Sequence, residues 1–316
     1  LFIMHYPPPI HGAAMVGQYI RESELVNSEF NTKYINLSTS KSVDEIGQTG
    51  IVKWIRYFQI IQSAIKYLWI FKPNLVYITI TAQGIGFYKD ALLVLLAKLH
   101  GKKVIIHFHN KGVQSRQEFK LDNFLYKLVF KNTKVILLAP ELYQDVKKYV
   151  RKEQVHYCSN GIPVINDIIK TDSKNKDEVI LLFLSNLIIS KGVLVLLEAC
   201  KILKQQNFAF KCHVVGGAGD LSEVDFENKI KESELESHVS FLGRKYGDEK
   251  IEIFNSASIF VLPTFYANEC FPLVLLEAMQ FALPLISTNE GGIPSIIDNG
   301  ENGYLVPKKD VNALVS

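Results

Sequence analysis

The sequence predicts an α/β protein made of two Rossmann-like, doubly wound domains. Three observations carry the prediction. Short apolar strands alternate with longer helical patterns, the alternation pauses around Tyr157 to Asp177, and the charge balance reverses at the same place.

The strand candidates are LFIMH, KYINL, LVYITI, KVIIHF and KVILLA in the first half, and EVILLFL, FKCHVV, HVSFL, SIFVL and PLIS in the second. They are nearly continuous apolar runs rather than alternating ones, the pattern of parallel strands covered on both faces. Helical patterns begin near Ala13, Ile51, Gly86, Phe119, Val193, Val224, Asp248 and Pro272. At the pause, CSNGIPV leads into the polar TDSKNKDE before a new strand begins. The domains are therefore placed at 1–162 and 163–316, with ligands expected at the carboxyl ends of the strands.

With 316 residues, 48% hydrophobic and 21% charged, the chain can bury a core too large for one ordinary domain. It opens at Leu1 inside an apolar run and stops at Ser316 as a helical pattern starts, so it reads as part of a longer protein. No signal peptide is visible, and no apolar run approaches the ~18 residues of a membrane-spanning helix. Cys158, Cys200, Cys212 and Cys270 have neither zinc-site nor disulfide spacing and are expected as reduced, mostly buried thiols of a cytosolic protein.

The net charge of +3 conceals a division. Residues 1 to 162 carry 21 Lys and Arg against 11 Asp and Glu, whereas residues 163 to 316 carry 14 against 21. No acid occurs between Glu45 and Asp90, a stretch that contains Lys53, Arg56, Lys66, Lys72 and Lys89. Such a half favours anionic surfaces, although ordinary solvated lysines account for any one of these positions. The segment IVKWIRYFQIIQSAIKYLWIF, Ile51 to Phe71, fits either an interfacial amphipathic helix or a helix packed on its sheet with the aromatics facing inward.

Chemistry concentrates in NECFPLVLLEAM, Asn268 to Met279. Pro272 suits the first turn of a helix, which sets the N–H groups of Leu273 and Val274 at its positive end, where a diphosphate is stabilised. Glu269 precedes that helix. Glu277 lies inside it among apolar residues, so the helix is expected to be buried and the acid to need a partner. Sugar or ribose hydroxyls would serve, and so would an internal salt bridge or cap. A second element, LSNLIISKG, Leu184 to Gly192, forms a strand-to-helix turn containing Asn186 and Lys191. A third, VVGGAGD, Val214 to Asp220, is glycine-rich but not a dinucleotide fingerprint, since Ser222 stands where a third glycine would fall.

In order and spacing these segments resemble the retaining glycosyltransferases of family 4, the glycosyl transferases group 1, and the resemblance spans nearly all of residues 158 to 310. EAMQFALPLISTNEGGIPSII and ENGYLV continue it. It implies the GT-B architecture, two Rossmann-like domains facing a cleft, with acceptor bound by the first and sugar nucleotide by the second. Glu269 and Glu277 match the family's Glu-x7-Glu pair, the first holding donor-sugar hydroxyls and the second the nucleotide ribose. Lys191 matches a lysine that neutralises the departing nucleoside diphosphate; Asn186 stands where the family has an arginine. By the same resemblance Gly216 lines the donor pocket, Arg244 at the end of FLGR contacts the base through backbone, and Phe271, Leu273 and Val274 complete the donor set. In the first half, PPPIHGAA resembles a glycine-rich loop in which Gly12 admits the donor phosphates, and in HFHN His109 resembles the active-site histidine. His11 and His107 are lesser candidates, and a histidine at a strand end is as readily structural.

The resemblance implies retaining, metal-independent transfer from a nucleotide sugar such as a UDP- or GDP-sugar, the catalytic residues being His109, Lys191 and Glu269. The nucleotide sugar is substrate, so no cofactor and no metal are expected. A lipid-linked or saccharide acceptor is expected, in polysaccharide or lipopolysaccharide biosynthesis at the inner face of the plasma membrane. An anionic membrane surface is the expected partner of the basic half, and nucleic acid is not. Two other readings are a non-catalytic sugar-nucleotide-binding partner of another transferase, favoured by Asn186, and a nicotinamide-dependent oxidoreductase, which lacks its glycine fingerprint.

Overall fold

The computed structural model describes residues 1–9, 12–40, 50–165 and 178–316. His11 and most of TDSKNKDE lie outside the described residues. The chain divides into two compact units, Leu1–Gly161 and Ile162–Ser316.

The first unit holds six parallel strands: β1 (Phe2–Met4), β2 (Tyr34–Asn36), β3 (Leu75–Thr79), β4 (Lys103–His107), β5 (Lys134–Leu137) and β6 (Val155–Tyr157), in the order β2-β1-β3-β4-β5-β6. The order reverses at β1, so the loops after β1 and β3 diverge at a switch point. The apolar runs disappear into the core: Ile3, Met4, Val76, Ile78 and Ile106 are all buried. Strand β6 was not legible as a run, because His156 and Tyr157 are exposed at the sheet's edge.

The second unit repeats the plan with β7 (Val179–Leu184), β8 (Phe210–Val215), β9 (Val239–Phe241), β10 (Ile259–Leu262), β11 (Leu285–Thr288) and β12 (Gly303–Val306), ordered β12-β11-β10-β7-β8-β9 and parallel throughout. Read from β9 this is the Rossmann order 3-2-1-4-5-6, and its switch point lies between β7 and β10. Strand β12 needs its glycine, since a Cβ on Gly303 would stand 2.1 Å from the Leu285 carbonyl oxygen.

The eight principal crossover helices, Gly12–Glu22, Ile51–Ile70, Gly84–Leu99, Lys120–Phe130, Val193–Gln205, Glu223–Glu232, Gly247–Ser256 and Leu273–Gln280, start within two residues of the expected positions. One expectation about a helix face is corrected. The Leu273–Gln280 helix is half-buried: Leu275 and Ala278 face the core, while Met279 is 40% exposed. The Ile51–Ile70 helix, for which the sequence left an interfacial and an inward-facing reading open, turns Tyr57 inward and leaves Trp54, Phe58 and Trp69 exposed. Cys200, Cys212 and Cys270 are buried free thiols, and Cys158 is exposed.

Candidate functional site

In the second unit, the loops leaving β7 and β8 are zipped together. Ser185 N–H donates to the Val215 carbonyl (2.9 Å), Leu187 N–H to that of Gly217 (2.8 Å), and Ile189 N–H to the Asp220 carboxylate (2.9 Å). This closeness requires glycine. A Cβ on Gly216, whose φ is +155°, would lie 1.9 Å from the Ser185 carbonyl oxygen. Asn186 Oδ1 accepts from Gly217 N–H at 3.3 Å, and the Arg244 guanidinium lies across Gly217, with Nε 1.9 Å from where a Cβ would sit. Gly216, Asn186 and Arg244 thus form one cluster. Ser222 is no failed glycine: its hydroxyl accepts from Asp225 N–H (3.0 Å) and caps the Glu223–Glu232 helix.

Lys191 and Glu269 come from opposite sides of the switch point and meet. Lys191 Nζ donates to Glu269 Oε2 at 2.6 Å, and Glu269 is buried. Thr264 Oγ reaches the same oxygen at 3.3 Å, and the Lys191 ammonium stands 5.0 Å from the centre of the Tyr266 ring. The loop that presents the acid turns back on Gly291, whose φ is +57° and whose Cβ would meet the Glu269 carbonyl oxygen at 2.3 Å. Glu269 is therefore a buried, ion-paired residue.

Glu277 has a protein partner as well. Lys250 Nζ donates to its Oε2 at 2.7 Å, with both side chains about a quarter exposed. The salt-bridge alternative left open for this acid is thus realised, across two helices. Pro272 takes the N-cap position of the Leu273–Gln280 helix, so Leu273 and Val274 present its first N–H groups, and Phe271 is buried just ahead of them. Sequence reasoning missed Lys250, Thr264 and Tyr266. It also missed Lys308, which pairs with the buried Glu290, and Lys309, whose ammonium lies 4.5 Å from the centre of the Phe265 ring. A bare lysine carries no local signal of its partner.

In the first unit, the loops after β3 and β4 are tied by side chains. Thr81 N–H donates to Asp90 Oδ2 (2.7 Å), Ala82 N–H donates to Asn110 Oδ1 (2.8 Å), and Tyr126 Oη donates to the Ala82 carbonyl (2.6 Å). Burial pushes the Asp90 carboxyl up to about 6, opposed by its hydrogen bonds from Thr81. His107 ends β4, and its Nδ1 is 2.6 Å from the Tyr77 hydroxyl. Its ring centre is 4.2 Å from that of His109. Burial, and then the neighbouring His109, push His107 well below the ordinary imidazole value, so it is neutral. Gly12 opens the Gly12–Glu22 helix, but the glycine that helix requires is Gly17, where a Cβ would meet the His5 carbonyl oxygen at 1.9 Å. Among the described residues no cluster of His, Cys, Asp and Glu could hold a metal ion.

Two units, each a parallel sheet of Rossmann type, with a charged pair at one switch point, place the chain in the GT-B fold class. Its fold matches that of Anabaena Alr3699/HepE in complex with UDP, with a TM-score of 0.74 and 16% identity over 99% of this chain and 87% of that one. Residues 164–316 match the glycosyl transferases group 1 family, and the second unit is a domain of that family. The chain is 31% identical over 230 residues to the amylovoran biosynthesis glycosyltransferase AmsK of Erwinia amylovora, covering 70% of this chain and 55% of AmsK. It is 27% identical over 227 residues to WcaL of Salmonella typhimurium, named as a colanic acid biosynthesis glycosyltransferase, with 70% and 55% covered. The chain spans about half the length of these curated relatives.

Proposed function

We propose that this chain is the greater part of a retaining glycosyltransferase that moves a sugar from a nucleotide-sugar donor to a lipid-linked or saccharide acceptor in cell-surface polysaccharide assembly. The observation that carries the reading is the Lys191–Glu269 ion pair, 2.6 Å long, at the β7/β10 switch point of the glycosyl transferases group 1 domain. Ligands of doubly wound sheets bind at such a point. In this reading the donor exchanges the pair's partners. The Lys191 ammonium turns to the departing diphosphate, where a preorganised cation stabilises the charge that develops, and Glu269 accepts from donor-sugar hydroxyls. Glu277 takes the ribose, and the Leu273 and Val274 N–H groups, with Gly216, Phe271 and the backbone at Arg244, complete the donor site in the second unit. The first unit takes the acceptor, with Gly12 assigned to the donor phosphates and His109 to the catalytic histidine. Transfer is metal-independent and set on the cytoplasmic side of the membrane.

The test is mass spectrometry of products after incubating the full-length protein with a panel of nucleotide sugars and lipid-linked or free saccharide acceptors. NMR of the new linkage reports its configuration, and the rate is expected to be unchanged by EDTA. An inverted linkage contradicts the retaining mechanism, and a chelator-sensitive rate contradicts metal independence.

One observation favours a second reading, a non-catalytic sugar-nucleotide-binding partner. Asn186 spends its carbonyl oxygen on Gly217 N–H and brings no charge to the loop. Nucleotide-sugar binding without transfer to any acceptor would decide for it.

A further inference from the structure

The Ile51–Ile70 helix carries two apolar stripes, and the fold uses one. Tyr57, Ile60, Ala64 and Leu68 are buried. A second series, Ile51, Ile55, Phe58, Ile65 and Trp69, interrupted by Gln62, follows the helical repeat along a different face and is exposed throughout. Trp69 is 65% exposed and Phe58 58%. A helix that needs only its sheet carries a single apolar stripe, and large exposed apolar surface on a soluble unit marks a contact surface. The Gly84–Leu99 helix packs against this helix and also against Lys120–Phe130. Both continue the pattern with exposed Leu92 and Leu99, and exposed Leu121 and Phe124.

The charges around these helices name the partner. Residues 50–131 contain 13 Lys and Arg but only three acids, and two of those, Asp90 and Asp122, are buried. Lys66, Lys72, Lys103, Lys120, Lys127 and Lys131 are exposed, and Glu118 is the one exposed acid of the stretch. Apolar and aromatic side chains bordered by lysines suit a plane in which acyl chains lie beneath anionic headgroups. The two stripes cannot make this a crossing helix, since no helix of the described residues is long and apolar enough to span a membrane.

We propose that the Ile51–Ile70 stripe, with the adjoining helices, docks the first unit on an anionic lipid bilayer, the apolar side chains entering the headgroup–acyl boundary and the lysines contacting lipid phosphate. The inference rests on the first unit alone and does not depend on the donor site.

The protein supplies its own probe, because Trp54 and Trp69 are the two tryptophans of residues 1–316 and both are exposed on this helix. Full-length protein titrated with vesicles of phosphatidylcholine and phosphatidylglycerol is expected to show a blue-shifted tryptophan emission, quenched by bromine-labelled acyl chains and reversed by high salt. Phe58→Gln with Ile65→Gln should weaken binding at least tenfold with far-ultraviolet dichroism and Tm unchanged, since both residues are exposed. Lys66→Gln with Lys127→Gln should weaken it tenfold in low salt and less in high salt. Absence of a shift with anionic vesicles, or an equal shift with neutral ones, overturns the proposal. So does a lipid-independent dimer in sedimentation that the Phe58/Ile65 variant dissociates, which would assign the stripe to a second copy of the chain.

Discussion

Lys191 and Glu269, 78 positions apart in the chain, close to 2.6 Å because β7 and β10 are neighbours and the sheet order reverses between them. The loop after β7 places the ammonium and the loop after β10 the carboxylate. Each is the other's counter-charge in a site where the carboxylate is buried.

Removing one member should therefore affect both stability and transfer. Lys191→Met leaves a buried carboxylate supported by Thr264, and breaking a buried pair in this way costs up to about 3–5 kcal/mol. Turnover should fall at least about 100-fold, the ~3 kcal/mol expected of one preorganised charge-stabilising group. The double variant Lys191→Met/Glu269→Gln separates the two effects, because it removes both charges. It should recover most of the stability in urea titration and remain inactive. Recovery of transfer along with stability would show the pair to be structural only.

The Lys250–Glu277 pair makes a contrasting case. Both side chains are about a quarter exposed, so their mutual attraction contributes about 0–1 kcal/mol. Lys250→Gln should accordingly leave Tm nearly unchanged. Glu277→Gln should do the same to Tm yet weaken nucleoside diphosphate binding about tenfold in calorimetric titration, if the acid takes the ribose. Unchanged affinity contradicts that role.

Gly291→Ala tests how tightly the Glu269 loop is held. The substitution needs a left-handed φ and puts a methyl 2.3 Å from the Glu269 carbonyl oxygen. A stability loss of about 1–3 kcal/mol is expected, with a larger fall in kcat than in nucleotide affinity, as the carboxylate is displaced. Wild-type kcat in this variant would mean that the position of Glu269 is unimportant.

In the first unit, Asp90 and His107 give opposite pH dependences. Asp90 is raised from 3.8 to about 6, so its contribution is full below 3.8 and is lost as pH rises through 6. His107 is lowered from 6.5, so its contribution is full above 6.5 and is lost as pH falls. Relative to the wild type, Asp90→Asn should gain stability between pH 4 and 6 by up to about 1.4 kcal/mol per pH unit. His107→Phe should gain relative stability as pH falls below 6.5. Urea unfolding followed by tryptophan emission measures both, since Trp54 and Trp69, the two tryptophans of residues 1–316, lie in this unit. Flat difference curves would show that neither group is perturbed.

The sequence by itself determined the architecture. Buried parallel strands must be apolar on both faces, so their runs stand out, and helix starts follow from where those runs stop. Only β6 and β12, edge strands with Tyr157 and Tyr304 exposed, lacked such a run. The order of Glu269, Pro272 and Glu277 was equally legible, because a loop acid, a helix-opening proline and a helix acid are local features. Tertiary structure decided the partners. Whether Glu277 meets Lys250, whether Lys191 reaches Glu269, and whether Trp69 faces core or solvent depend on which strands are neighbours and which helix face is covered. Those contacts join residues far apart in the chain, and no local pattern records them. Asn186 shows the division within one residue: its lack of charge is written in the sequence, while its bond to Gly217 exists only because β7 and β8 run side by side.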